Sequence, residues 1–83
     1  PNPFNPTTEI LFDISVQDNA TLKLYNIKGQ EVITLINKVL NPGLHKVTWN
    51  GVNNNGKELS SGMYFYELVV GDISLRKKLV LLK

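Results

Sequence analysis

Turn-forming residues cut this chain into short pieces, and that punctuation limits its fold more than any other feature. Clusters of Gly, Pro, Asn, Asp and Ser stand at Asp18-Asn19, residues 26–30, Asn41-Pro42-Gly43, residues 50–57, Ser60-Ser61-Gly62 and Gly71-Asp72. Each residue type bends the chain for a physical reason: Pro presets φ, Gly permits φ > 0, and Asn and Asp bond their own backbone. Turns recurring roughly every 8–12 residues leave room for strands but little room for helices.

The pieces between the turns alternate as half-buried strands do. Thr8–Ile14 places Ile10, Phe12 and Ile14 on one face and Glu9, Leu11 and Asp13 on the other. Residues 21–25 place Leu22 and Leu24 together, opposite Thr21, Lys23 and Tyr25. Residues 44–49 align His45, Val47 and Trp49, and residues 63–70 align Tyr64, Tyr66 and Leu68. Residues 31–36 are rich in β-branched side chains and read as a strand, although Val32, Leu35, Ile36 and Val39 also fit a helical stripe. Gly71-Asp72 is a two-residue hairpin signal that leads into a closing strand over 73–82. The run Leu79-Val80-Leu81-Leu82 leaves the facing of that strand open. Six or seven such strands predict an all-β, antiparallel immunoglobulin-like β-sandwich, with a small barrel as the alternative.

With 83 residues the chain has the length of one small domain. It lacks cysteine, so disulfides, thiol nucleophiles and cysteine-based zinc sites are excluded. No apolar run reaches the ~20 residues of a membrane-spanning helix. Residues 1–6 hold three of the four prolines and read as a stiff lead-in from an upstream domain, with residues 7–83 as the sandwich. A start at Pro1 without an initiator Met reads as a piece of a longer chain.

The net charge of +2 is too small to indicate nucleic acid, but its distribution is uneven. Residues 73–83 carry Arg76, Lys77, Lys78 and Lys83 with no acid, while residues 1–72 carry five lysines against seven acids. A basic closing strand suits an acidic partner, and it also suits a sheet edge kept soluble by charge.

Catalytic groups are sparse. The single histidine, His45, lies on a strand face with Val47 and Trp49, where a packed or rim side chain is expected. No serine sits in a Gly-x-Ser-x-Gly elbow, and the acids are scattered. No enzyme activity, cofactor or metal is therefore expected. The 50–58 loop offers the amides of Asn50, Asn53, Asn54 and Asn55 and the carboxylate of Glu58. One carboxylate makes a weak calcium site, and a turn fixed by Asn self-bonding is the simpler reading. For stacking on sugars, Tyr25 and Phe65 are the rings expected to be exposed, since Trp49, Tyr64 and Tyr66 fall on core faces.

Four elements in order carry a resemblance over essentially the whole chain. They are residues 1–8 (Pro-Asn-Pro-Phe-Asn-Pro-Thr-Thr), 22–32 around Tyr25, Gly29 and Gln30, 43–51 around Trp49, and 61–66 around Gly62 and Tyr64 with the ending 76–83. This pattern resembles the type A C-terminal sorting domain of the type IX secretion system. It is closely similar to the immunoglobulin-like domain of the flagellar hook-capping protein, and the two descriptions overlap at sequence level. Asn50, Asn53, Asn54 and Asn55 stand where that family often has Asp, and Gln30 stands where it often has Arg. These departures weaken a bound cation and an ion pair at those places.

The resemblance implies a non-catalytic sorting and anchoring domain that directs an upstream cargo to the cell surface or medium, via the periplasm. Its implied partners are secretion apparatus proteins at the outer membrane and the cargo domain of the same chain, with self-association through the final strand as a further option. Gly29, Gly62, Tyr64, Lys77, Lys78 and Lys83 are the candidate recognition residues. The alternative is a structural immunoglobulin-like accessory or assembly module of a secreted surface protein, filament or enzyme. A carbohydrate-binding appendage is the third reading.

Overall fold

A computed structural model describes residues 7–83 as six antiparallel strands in two sheets. The strands are β1 (Thr8–Ile14), β2 (Asp18–Tyr25), β3 (Glu31–Leu40), β4 (Gly43–Trp49), β5 (Gly62–Val70) and β6 (Ile73–Leu81). A two-stranded sheet, β1-β4, packs on a four-stranded sheet ordered β3-β2-β5-β6. The expected all-β sandwich is the observed fold. The lead-in over residues 1–6 lies outside the described residues.

The alternation read from sequence decides what is buried. Ile10, Ile14, Leu22, Leu24, Trp49, Tyr64, Leu68, Leu79 and Leu81 turn inward and form most of the core. Leu79 and Leu81 are buried while Val80 and Leu82 are exposed, so the run of four apolar residues does alternate. Burying a large aliphatic or aromatic side chain contributes about 1.5–3 kcal/mol, and no charged or polar side chain shares this core.

Two expectations need correction. Asp18-Asn19 is not a turn: β2 begins at Asp18, and the bend lies over residues 15–17. Asp18 pairs with Leu40 and Asn19 with Val39, so ladder pairing overrides their turn preference. The helical spacing in residues 31–40 has a strand explanation. The register against β2 shifts twice, passing over Val32 and Leu35 in β3. Each extra residue is a β-bulge, and bulges break the two-residue period. A twice-bulged strand thereby shows Val32, Leu35 and Ile36 at helix-like intervals.

The sandwich has unlike ends. One end gathers the β2–β3 turn, the 50–61 loop and the chain terminus at Lys83. The other carries the 15–17 bend, the crossover at Asn41 and Pro42, and the Gly71-Asp72 hairpin. That hairpin is as expected, with Val70 paired to Ile73 around it and Gly71 at φ 57°.

Candidate functional site

The loop end is built from two copies of one turn, Asn-x-x-Gly-x. In residues 26–30 the Asn26 side-chain oxygen accepts bonds from the backbone N–H of Lys28 (2.9 Å) and Gln30 (3.0 Å). In residues 53–57 the Asn53 oxygen accepts from Asn55 (2.9 Å) and Lys57 (3.0 Å). The N–H of Gly29 donates to Asn26 O, and that of Gly56 donates to Asn53 O. Both glycines have φ near 80°, which an L side chain adopts only with strain. The two turns are tied to each other through β3. Asn54 donates its N–H to Val32 O (3.0 Å), and its side-chain oxygen accepts from Thr34 N (3.1 Å).

This accounts for two of the four amides weighed as calcium ligands. The oxygens of Asn53 and Asn54 already accept backbone donors, and Glu58 pairs with Lys83 Nζ at 3.2 Å. The loop is a self-bonded turn, as the simpler reading expected.

Trp49 closes the same end. It is fully buried, its Nε1–H donates to Val52 O (2.9 Å), and Tyr64 meets it edge-on at 5.1 Å between centroids. The Tyr64 hydroxyl donates to Ser60 O at 2.7 Å. Tyr64, one of the candidate recognition residues, is thus a core residue whose side chain is only 6% exposed. Gly62 opens β5 at φ 152°, and Gly29 serves the 26–30 turn; both are exposed. Lys83 donates its backbone N–H to Ser61 Oγ (3.0 Å), so the chain end is held down.

The basic strand β6 is a sheet edge, hydrogen-bonded to β5 alone among the described residues. Its charges do not form one patch, because neighbours on a strand face opposite ways. Lys78 pairs with Phe65 on the outer face, while Lys77 pairs with Tyr66 on the inner side. Arg76 lies over the Tyr25 ring at 5.3 Å, a cation–π contact. Lys77 and Lys78 belong to none of the ion pairs among the described residues, which are Lys23–Glu31, Lys46–Glu9 and Lys83–Glu58.

Tyr25 and Phe65 are direct cross-strand neighbours, each half-buried. They are adjacent, but one face of Tyr25 is covered by Arg76, so the flat open row needed for sugar stacking is not formed. His45 is a rim side chain: it stacks on Phe12 at 5.5 Å, and its Nε2 donates to Asn41 O at 2.7 Å.

One feature escaped sequence reasoning. At the end away from Trp49, β1 stands apart from β6 and leaves a groove lined by Leu11, Ile14, Val16, Val70, Ile73 and Leu75. The exposed-face Leu11 was a partial signal. The groove itself depends on which strand lies above which, and alternation does not encode that.

No curated protein matches the sequence. The FlgD Ig-like domain family matches residues 5–72, a span containing β1 to β5 with their bulges, turns and buried Trp49. The chain belongs to the FlgD Ig-like domain family.

Proposed function

We propose that this domain is a non-catalytic structural module, an accessory or assembly unit within a larger protein, filament or enzyme. Membership of the FlgD Ig-like domain family carries this reading. The use of the polar side chains supports it. Asn26, Asn53 and Asn54 fix turns, His45 ties β4 to the crossover, and no acidic, basic or histidine side chain among the described residues is buried. Activated acids and bases usually need such burial. The work left to the surface is contact, and the free edge of β6 is the first place for it. Two copies paired antiparallel about Lys77 would set Arg76, Lys77 and Lys78 against one another, so charge biases this edge toward an acidic partner.

A second reading is export: the same strand as an address for a type IX apparatus at the outer membrane. Its support is the four-part resemblance in sequence together with the exposed Arg76, Lys77 and Lys78, which lie beyond the matched residues.

The test fuses a reporter upstream of Pro1 in a host with a working type IX apparatus. Truncation before Lys77 would also remove the core residues Leu79 and Leu81. Lys77→Ser with Lys78→Ser removes charge and spares the core. On the structural reading, export of the reporter does not depend on the domain or on these lysines, whereas deleting the domain impairs assembly of its parent protein. Surface delivery by the intact domain alone, lost in the double variant while it stays folded, would reverse the order of the two readings.

A further inference from the structure

The two sheets are unequal, with two strands facing four, and the shortfall is local. Near Trp49 the 50–61 loop covers the inner face of β6, and Leu79 and Leu81 are buried there. Toward the Gly71 hairpin nothing among the described residues covers it, and Leu75 and Ile73 are 41% and 74% exposed. β1 lies beside this bare face with β4 as its only hydrogen-bonded neighbour among the described residues. Between them runs a groove of about 680 Å³. Four of the ten large apolar side chains that are exposed among the described residues line it: Leu11, Val16, Ile73 and Leu75. A concentration of this kind marks a contact surface, whereas scattered single residues do not.

We propose that this groove receives an extended segment of a partner protein, which adds to β1 as the third strand of the smaller sheet. The segment carries apolar side chains at alternate positions and basic residues at its leading end. The groove supplies each requirement. The free edge of β1 offers main-chain donors and acceptors, as strand addition needs. The floor of Val70, Ile73 and Leu75 takes every second side chain. Asp13, Asp18 and Asp72 all line the same groove at its hairpin end, and none of them is in an ion pair among the described residues. No three acidic or histidine side chains among the described residues are arranged to hold a metal ion, and a dispersed positive charge suits this carboxylate rim. Lys or Arg at the leading end of an added strand meets it. The inference rests on the assembly reading for the partner being a protein, and it concerns a face distinct from the β6 edge.

The probe is an N-acetylated, C-amidated peptide, Lys-Lys-Val-Thr-Val-Thr-Val, titrated into the ¹⁵N-labelled 83-residue chain. The expected result is saturable amide shifts in residues 11–16 and 68–75, with Trp49 undisturbed. Asp13→Lys with Asp72→Lys weakens binding about tenfold or more through charge alone. Leu75→Glu abolishes it, and because Leu75 is already exposed the variant keeps the dispersed spectrum of the folded domain. Lys78→Glu, on the outer face, leaves it unchanged. Absence of saturable shifts overturns the proposal, as do shifts confined to the outer face of β6. Equal binding by a peptide led by two glutamates also overturns it. Concentration-dependent shifts of the same residues without peptide assign the groove to a second copy instead. Each of these leaves the export and deletion experiment untouched, so this inference and the assembly reading can fail separately.

Discussion

The end of the sandwich around Trp49 and the end around Gly71 are made from the same six strands, yet they are finished differently. At the first, loops close over the core. Asn26 and Asn53 each hold two backbone N–H groups, Asn54 links a loop to β3, and Lys83 is anchored to Ser61 and Glu58. At the second, a two-residue hairpin and a short bend join the strands without covering them, and Ile73 and Leu75 stay in water. The difference teaches where stability and function separate. The closed end spends its polar groups on itself, and the open end keeps a strand edge, apolar side chains and carboxylates outside the ion pairs among the described residues.

The strongest way to break this comparison is at Trp49. Trp49→Ala removes a fully buried ring, its contact with Tyr64 and the partner of Val52 O. A loss of about 3–5 kcal/mol is expected, a large share of the stability of a small domain. Urea denaturation followed by circular dichroism measures it. Leu81→Ala, also at the closed end, should cost about 2–5 kcal/mol, against less than about 0.5 for Ile73→Ser at the open end. Equal costs for Leu81 and Ile73 would show that the open end is covered in solution.

Glycine sharpens the contrast next. Gly29 and Gly71 both have positive φ, but a Cβ on Gly29 meets nothing within 4 Å, whereas one on Gly71 collides with the Asp18 carboxylate. Gly29→Ala should therefore cost about 1 kcal/mol from backbone strain alone, and Gly71→Ala about 2 or more. Combining Gly71→Ala with Asp18→Ala should bring the cost back toward that of Gly29→Ala. A thermodynamic cycle reads the coupling directly, and a coupling of zero would mean that the hairpin shifts freely to accommodate the methyl group.

Asparagine comes third. Asn26→Ala and Asn53→Ala each leave two backbone donors without their acceptor at a loop where water can partly replace it. About 1–2 kcal/mol is expected for each. Asn55→Ala, whose side chain makes no such bonds, should stay within about 0.5 kcal/mol. Amide exchange at Lys28, Gln30, Asn55 and Lys57 locates the loss.

The fold was legible because strand alternation and turn chemistry are local. Ile10, Leu22, Leu24 and Trp49 could be placed inward by counting in twos. The failures were of one kind. Asp18 and Asn19 look like a turn, but pairing with Leu40 and Val39 makes them strand. Tyr64 was placed on a core face by its alternation, but its partner there, Trp49, fifteen positions earlier and on the other sheet, was not readable. Lys77 and Lys78 look like one basic patch, but the pleat splits them. The two-against-four strand count that opens the groove has no counterpart in any segment of sequence. What the sequence withheld was which elements meet, and the candidate surfaces depend on that.

The smallest effect is expected at the Glu58–Lys83 pair, and it decides what holds the closed end shut. The Glu58 side chain is largely exposed while that of Lys83 is mostly covered, with its Cε close to Gly51. An ion pair with one partner in water contributes roughly 0–1 kcal/mol and weakens with salt. Glu58→Gln should thus lower stability by no more than about 0.5 kcal/mol in low salt, and the difference should vanish in ~1 M salt. The Lys83 backbone N–H still reaches Ser61 Oγ in that variant, so the terminus stays docked. A loss above about 1.5 kcal/mol, or one indifferent to salt, would mean that charge rather than packing closes this end. The contrast with the Asp13, Asp18 and Asp72 rim would then be one of pairing, since the open end would differ only in lacking its cation.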